Sequence, residues 1–169
     1  MIRLLGIDPG TRLTGYGVID YDPRDPLRPG LVDAGVLRLD AKLPLAERLI
    51  ELERGLAEIL DELRPRAVAV EEVYAHYAHP KTAIIMAHAR GVLLLACARR
   101  GLVPHELAAN RVKQSLTGHG HADKSQMQRA VQAQWNLAEP PEPPDVADAL
   151  AIALCLGRSG VVDRLDGAG

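Results

Sequence analysis

Four carboxylates on three separate segments are the residues whose types and spacing could do chemistry. Asp8 ends the apolar run Ile2–Ile7 and is followed at once by Pro9-Gly10. Glu71 ends a second apolar run, Ala67–Val70, and Asp145 and Asp148 stand at the head of an apolar stretch that opens with Pro144. Taken singly, most have ordinary explanations. Asp-Pro-Gly is turn chemistry, Glu71 is a charge leaving a strand, and Asp145 could cap a helix. Asp148 has no such explanation, because it lies one turn inside the helix among Val146, Ala147, Ala149 and Leu150. Residues three apart share a helix face, so Asp145 and Asp148 can address one site. Acids crowded beside apolar walls would repel and protonate unless cations bound them. An all-oxygen donor set carried on rigid elements suits a hard cation such as Mg²⁺. The chemistry to expect is metal-dependent hydrolysis of a phosphodiester in nucleic acid.

The elements that must position these acids follow from periodicity. Ile2–Asp8, Gly15–Asp20 and Leu31–Leu39 read as three strands, and their short connections make them antiparallel. From Pro44, leucines and isoleucines at positions 45, 49, 52, 56, 59, 60 and 63 form one stripe of an amphipathic helix, which Pro65 closes. Ala67–Glu71, apolar at every position before the acid, predicts a central strand buried on both faces. The segment Pro80–Arg100 predicts a helix apolar nearly all round, which must be sandwiched inside the domain or covered by a second subunit. Leu102–Pro104 reads as a short fifth strand, and Ala108–Leu116, Asp123–Trp135 and Asp145–Leu156 as three further helices. This order predicts an α/β fold, a five-stranded mixed sheet flanked by helices, in one domain over residues 1–158 with a flexible tail over 159–169.

Composition bounds the partners. The 169 residues carry a net charge of −2, which by itself argues against a polyanion. The distribution of that charge argues the other way. Residues 76–134 hold eight basic residues against two acidic ones, a net +6 that leaves −8 for the rest. Such asymmetry suits nucleic acid laid along one side, its phosphates positioned by Arg111, Lys113 and Lys124. The Gly-His-Gly-His loop at 118–121 lies between Lys113 and Lys124; an isolated His-x-His pair is weak support for zinc, and a positive loop near phosphate is the better reading. Tyr74 and Tyr77 follow Glu71 in a chain with only 3% aromatic residues, a placement that suits base stacking as well as core packing. No signal peptide opens the sequence, and the longest apolar stretch, Gly91–Ala98, is too short to span a bilayer. Cys97 and Cys155 have no paired spacing and read as buried reduced thiols of a cytoplasmic protein.

The segments GIDPGTRLTGYGVI (Gly6–Ile19), VAVEEVY (Val68–Tyr74), ARGVLLLA (Ala89–Ala96), NRVKQSLTGHGHADKSQ (Asn110–Gln126) and PDVADALAIAL (Pro144–Leu154) closely resemble the RuvC family of Holliday junction resolvases, in order from about residue 2 to 157. The resemblance implies an RNase H-like fold, a homodimer, and paired nicking of four-way DNA junctions in recombination and repair. It places Asp8, Glu71, Asp145 and Asp148 at the catalytic acid positions, Lys113 and Lys124 at the functional lysines, and Tyr74 at a junction-facing aromatic. It also implies branch-migration motor proteins of the RuvA and RuvB type as partners. The expected mechanism uses two Mg²⁺ ions, with Mn²⁺ as substitute, about 3.5–4 Å apart as in two-metal nucleases. Asp8 would bridge them, Lys124 or Lys113 would offset phosphate charge, and the products would be 5′-phosphate and 3′-hydroxyl ends. Two departures stand out: the Tyr74–Pro80 stretch is about one residue long, blurring which tyrosine stacks, and the pI of about 6.3 is low for the family.

Three other readings fit part of the sequence. Asp8-Pro9-Gly10-Thr11 also resembles the first phosphate loop of actin-like kinases, but one domain without a second such loop cannot enclose a nucleotide. A nuclease of the same fold acting on RNA hybrids or linear DNA would carry the same acids. A junction-binding module without activity has no need of all four.

Overall fold

A computed structural model describes residues 1–72 and 80–162 of the chain. Strands β1 (Ile2–Asp8), β2 (Leu13–Tyr21) and β3 (Gly30–Arg38) form an antiparallel meander, and helix α1 (Leu45–Leu63) crosses to β4 (Ala67–Glu71), which pairs with β1 in parallel. Helix α2 (Pro80–Ala98) leads to β5 (His105–Leu107), and three helices follow: α3 (Ala109–Thr117), α4 (Lys124–Trp135) and α5 (Pro144–Gly157). The sheet order is β3-β2-β1-β4-β5.

Alternation along the strands sorts the core into two layers. Ile2 and Leu4 of β1, and Ala67 and Ala69 of β4, pack on the α3–α5 side. Leu5 and Ile7, with Val68 and Val70, pack beneath α1 and α2. A strand alternates faces with period two, so the layer of every residue on β1 and β4 follows from its parity. Cys97 belongs to the α1–α2 layer and Cys155 to the α5 layer. Both are free thiols, and the sheet lies between them.

Local chemistry sets the helix ends. Arg64, in the left-handed region, closes α1 by donating its backbone N–H to Leu60 O, and Pro65 follows. Asp123 proves to be the cap of α4 rather than its first residue, forming a capping box with Gln126. Gly118 ends α3 at φ 79°, a conformation that glycine adopts without the Cβ penalty.

Three sequence expectations need correction. The fifth strand is His105–Leu107, not Leu102–Pro104. The more apolar triplet lost because Val103 faces solvent at 80% exposure, whereas His105, Glu106 and Leu107 pair with Ala69, Val70 and Glu71. Second, the tail expected from Ser159 is packed as far as Val162, which is wholly buried in the α5 layer. Third, the apolar length of α2 exceeds the Gly91–Ala98 stretch, since Lys81–Ala98 is long and apolar enough to cross a membrane by composition alone. In the fold this helix is a domain element: Ala89, Leu93, Ala96 and Cys97 pack into the core beside α1. Its other face, with Ile84, Leu94 and Leu95, is exposed.

Candidate active site

Strand register brings the first two acids together. Leu4 to Ile7 of β1 pair in parallel with Ala67 to Val70 of β4, so one step further Asp8 lies beside Glu71. Adjacent strands are roughly 4.8 Å apart. Asp8 shares the parity of Ile2 and Leu4, and Glu71 that of Ala67 and Ala69, so both point to the α5 side. Both also end their strands, where the sheet stops covering them.

The second pair arrives through direct packing of helix on sheet. Asp8 pairs across β2 with Gly15. A Cβ on Gly15 would collide with the Asp145 carbonyl, one on Gly6 with the Ala149 carbonyl, and one on Gly17 with the Leu150 backbone. The three glycines form a track on which the α5 backbone rests. This close approach sets Asp145 above Gly15, next to Asp8, and Asp148 one turn on along the same face. Pro143, not Asp145, occupies the cap position of α5, which leaves the Asp145 carboxylate free for the site.

Electrostatic coupling follows from the convergence. Burial, then Asp148, Glu71 and Asp145, push the Asp8 carboxyl up to about 8, with Lys124 opposing. Glu71 is raised by burial and by Asp148, against Lys113. Asp148 is raised by burial, with Lys124 opposing, Asp145 adding and Lys113 opposing. These couplings group Asp8, Glu71, Asp145, Asp148, Lys113 and Lys124 at one place. Fully ionised, four carboxylates against two ammonium groups leave a net −2 beside apolar walls. A divalent cation removes that imbalance, and the donors are all hard oxygens, so the set fits Mg²⁺. Among the described residues, no three His, Cys, Asp or Glu side chains are drawn together tightly enough to hold an ion as they stand.

Lys124 occupies the first turn of α4, where the positive end of the helix dipole disfavours a cation. The facing acids offset that placement. Arg111, grouped with Lys113 by sequence, goes elsewhere: two residues apart on α3, they face nearly opposite sides. Arg111 lines a cavity with Cys155 and Arg158. Tyr74 and Tyr77 lie outside the described residues.

Several supporting residues carry no signal in the sequence. Arg90 on α2 donates to the Glu71 carbonyl (3.4 Å) and pairs with Glu106 of β5, fixing the strand end that carries the acid. Glu72 N–H donates to Leu107 O (2.9 Å). Arg48 of α1 reaches across to the Thr11 carbonyl, and Gly10 N–H donates to the buried Thr14 hydroxyl (3.4 Å), holding the turn after Asp8. By sequence Arg48 is a charge on an amphipathic helix and Arg90 one of the basic residues of 76–134; only the tertiary path of α1 and α2 shows what they touch.

A meander joined in parallel to β4 and β5, with acids at the ends of β1 and β4 and on the helix packed over them, is an RNase H-like fold with a carboxylate site. Residues 4–156 match the family model described as Crossover junction endodeoxyribonuclease RuvC. A protein of that name from Halorhodospira halophila is 49% identical over 92% of this chain and 89% of its own length. One from Rhodopirellula baltica is 47% identical over 90% and 84%. Among solved structures, that of T. thermophilus RuvC in complex with Holliday junction substrate superposes with a TM-score of 0.85 at 34% identity, covering 95% of this chain and 97% of that one. The chain belongs to the RuvC family of crossover junction endodeoxyribonucleases.

Proposed function

We propose that this chain resolves four-way DNA junctions by paired, metal-dependent hydrolysis of phosphodiesters. The observation that carries the reading is the convergence of Asp8, Glu71, Asp145 and Asp148 on one face at one end of the sheet, opposed by Lys113 and Lys124. Asp8, Glu71, Asp145 and Asp148 would together hold the catalytic cations, two Mg²⁺ ions (or Mn²⁺). When bound, the cations supply Lewis acidity for attack of water on phosphorus and departure of the 3′-oxygen, leaving 5′-phosphate ends. Lys124 and Lys113 hold the scissile phosphate against the repulsion of the acids and offset the charge that grows on it. Tyr74 or Tyr77 would stack on junction bases.

Two cuts at symmetric positions call for two sites at a fixed separation, which a two-fold dimer provides. Support for that assembly is the exposed apolar face of α2, Ile84, Leu94 and Leu95, flanked by the exposed Ile50 of α1. Branch-migration motor proteins are the partners this reading calls for, and the cytoplasm, with its DNA, the place. The test is cleavage of an end-labelled synthetic junction with a homologous core in Mg²⁺, Mn²⁺ or EDTA. Symmetric nicks on opposite strands, absent in EDTA, are expected; tight binding without nicks in any metal would leave only a junction-binding module.

A further inference from the structure

On the flank of α3 turned away from Lys113, a cavity of about 290 Å³ is lined by Arg111, Gln114, Ser115, Cys155 and Arg158. Positions 111, 114 and 115 are three and four apart, so they form one stripe of α3, and the stripe faces the last turn of α5. Among the described residues no carboxylate lines the cavity. Arg111 makes no hydrogen bond or ion pair among the described residues. Arg158 donates two N–H groups to neutral acceptors, the Ser115 carbonyl and Gln134 Oε1, and has no acid partner among the described residues either. Ser115 Oγ is shut off from solvent without an aligned hydrogen-bond partner, although it lies beside the Cys155 thiol. Two guanidinium groups, the exposed Arg111 and the hydrogen-bonded Arg158, thus line one cavity with an amide and a hydroxyl, and no acid among the described residues receives them. Guanidinium is suited to bidentate recognition of phosphate, and here two of them face one cavity without an acid partner among the described residues. The volume is at the lower limit of small-molecule pockets, so it suits a compact oxyanion rather than a nucleoside.

We propose that Arg111, Arg158, Gln114 and Ser115 form a phosphate-binding site separate from the acids, and that its occupant is a backbone phosphate of the bound DNA. Placement favours that source over free phosphate. Asp148 faces Lys113 at one end of α5 and Cys155 faces Arg111 near the other. The two are seven residues apart, or roughly 10 Å along the helix. That separation equals about three nucleotide steps along a duplex axis. The site would therefore hold the strand a few nucleotides from the scissile phosphate and fix its register without reading sequence. The inference rests on the DNA-binding reading above.

The experiment measures junction affinity of the full chain against salt in EDTA, for wild type, Arg111→Gln and Arg99→Gln. Arg99 pairs with Glu53 on the α1–α2 side and serves as a charge-loss control. Arg111→Gln is expected to weaken binding about 5–10-fold and to lower the slope of log K on log salt by about 0.9, one phosphate contact, while Arg99→Gln leaves the slope alone. A parallel arm titrates inorganic phosphate against chloride of equal ionic strength and follows Tm. Stabilisation lost in Arg111→Gln, with the slope unchanged, would reassign the site to free phosphate. An unchanged slope and no phosphate effect on Tm would overturn the site altogether. Failure of wild type to bind the junction would instead sink the DNA-binding reading, which the same titration reports separately.

Discussion

Among the described residues Asp8 carries the largest electrostatic burden, and its cost should be measurable without any catalysis. Its carboxyl is raised from 3.8 to about 8 by burial and by three neighbouring acids. Between those values the metal-free folded protein keeps a proton that the unfolded chain has released. The folded state therefore binds more protons, and stability falls as pH rises from about 4 to about 8, by about 5 kcal/mol. Chemical denaturation in EDTA across that range should show the decline, and saturating Mg²⁺ should flatten it, because the cation binds the ionised form. Asp8→Asn removes the burden. It should abolish cleavage, retain junction binding, and raise the Tm of the metal-free protein at pH 8 by about 10 °C. A mutant that folds but has lost both cleavage and binding would contradict the role given to Asp8. All four acids were legible in the sequence, because a carboxylate ending an apolar strand or sitting inside an apolar helix violates the local pattern. Arg48 was not, because an arginine on an amphipathic helix violates nothing; Arg90 does interrupt an apolar helix, but nothing local says that it touches Glu71 and Glu106. Arg111 was legible as a cation but not as one facing away from Lys113, since helix periodicity had to be combined with the packing of α3 on α5.

At the scale of elements, the seating of α5 on Gly6, Gly15 and Gly17 decides whether the site exists. Gly15→Ala would drive a methyl into the Asp145 carbonyl and lift the acid-bearing end of the helix. We expect a loss of about 2–3 kcal/mol from overpacking and a fall in cleavage larger than the stability loss explains. Gly30→Ala is the control, since its Cβ would meet only Asp20 at 3.8 Å. Thermal melts with single-turnover cleavage of both variants separate the two effects. Most elements were legible because strand alternation, the α1 stripe and the proline breaks are local signals. The fifth strand was misplaced because three residues carry too little pattern, and only pairing with β4 selects His105–Leu107 over the more apolar Leu102–Pro104. The glycine track was invisible for a different reason: a glycine in a strand announces close approach without saying to what.

For the whole molecule, the choice that the sequence leaves open is what covers the apolar α2. One face is internal, with Leu93 and Ala96 in the core; the other leaves Ile84 57% and Leu95 49% exposed. If that face joins two copies, Leu95→Glu should yield a monomer by sedimentation while the fold persists by circular dichroism. Such a monomer should nick junctions singly and lose the pairing of cuts. A dimer of unchanged affinity would move the interface elsewhere.

The spread of the acids along the chain has a further consequence. Asp8 and Glu71 become neighbours only when β1 and β4 pair, and Asp145 and Asp148 join them only when α5 settles on the sheet. No subset of elements lacking α5 can assemble the four, however complete its strands. If the four acids act as proposed, hydrolytic competence is a property of the finished tertiary structure: a partly folded chain in which α5 has come loose would be disarmed before it could damage the DNA it touches.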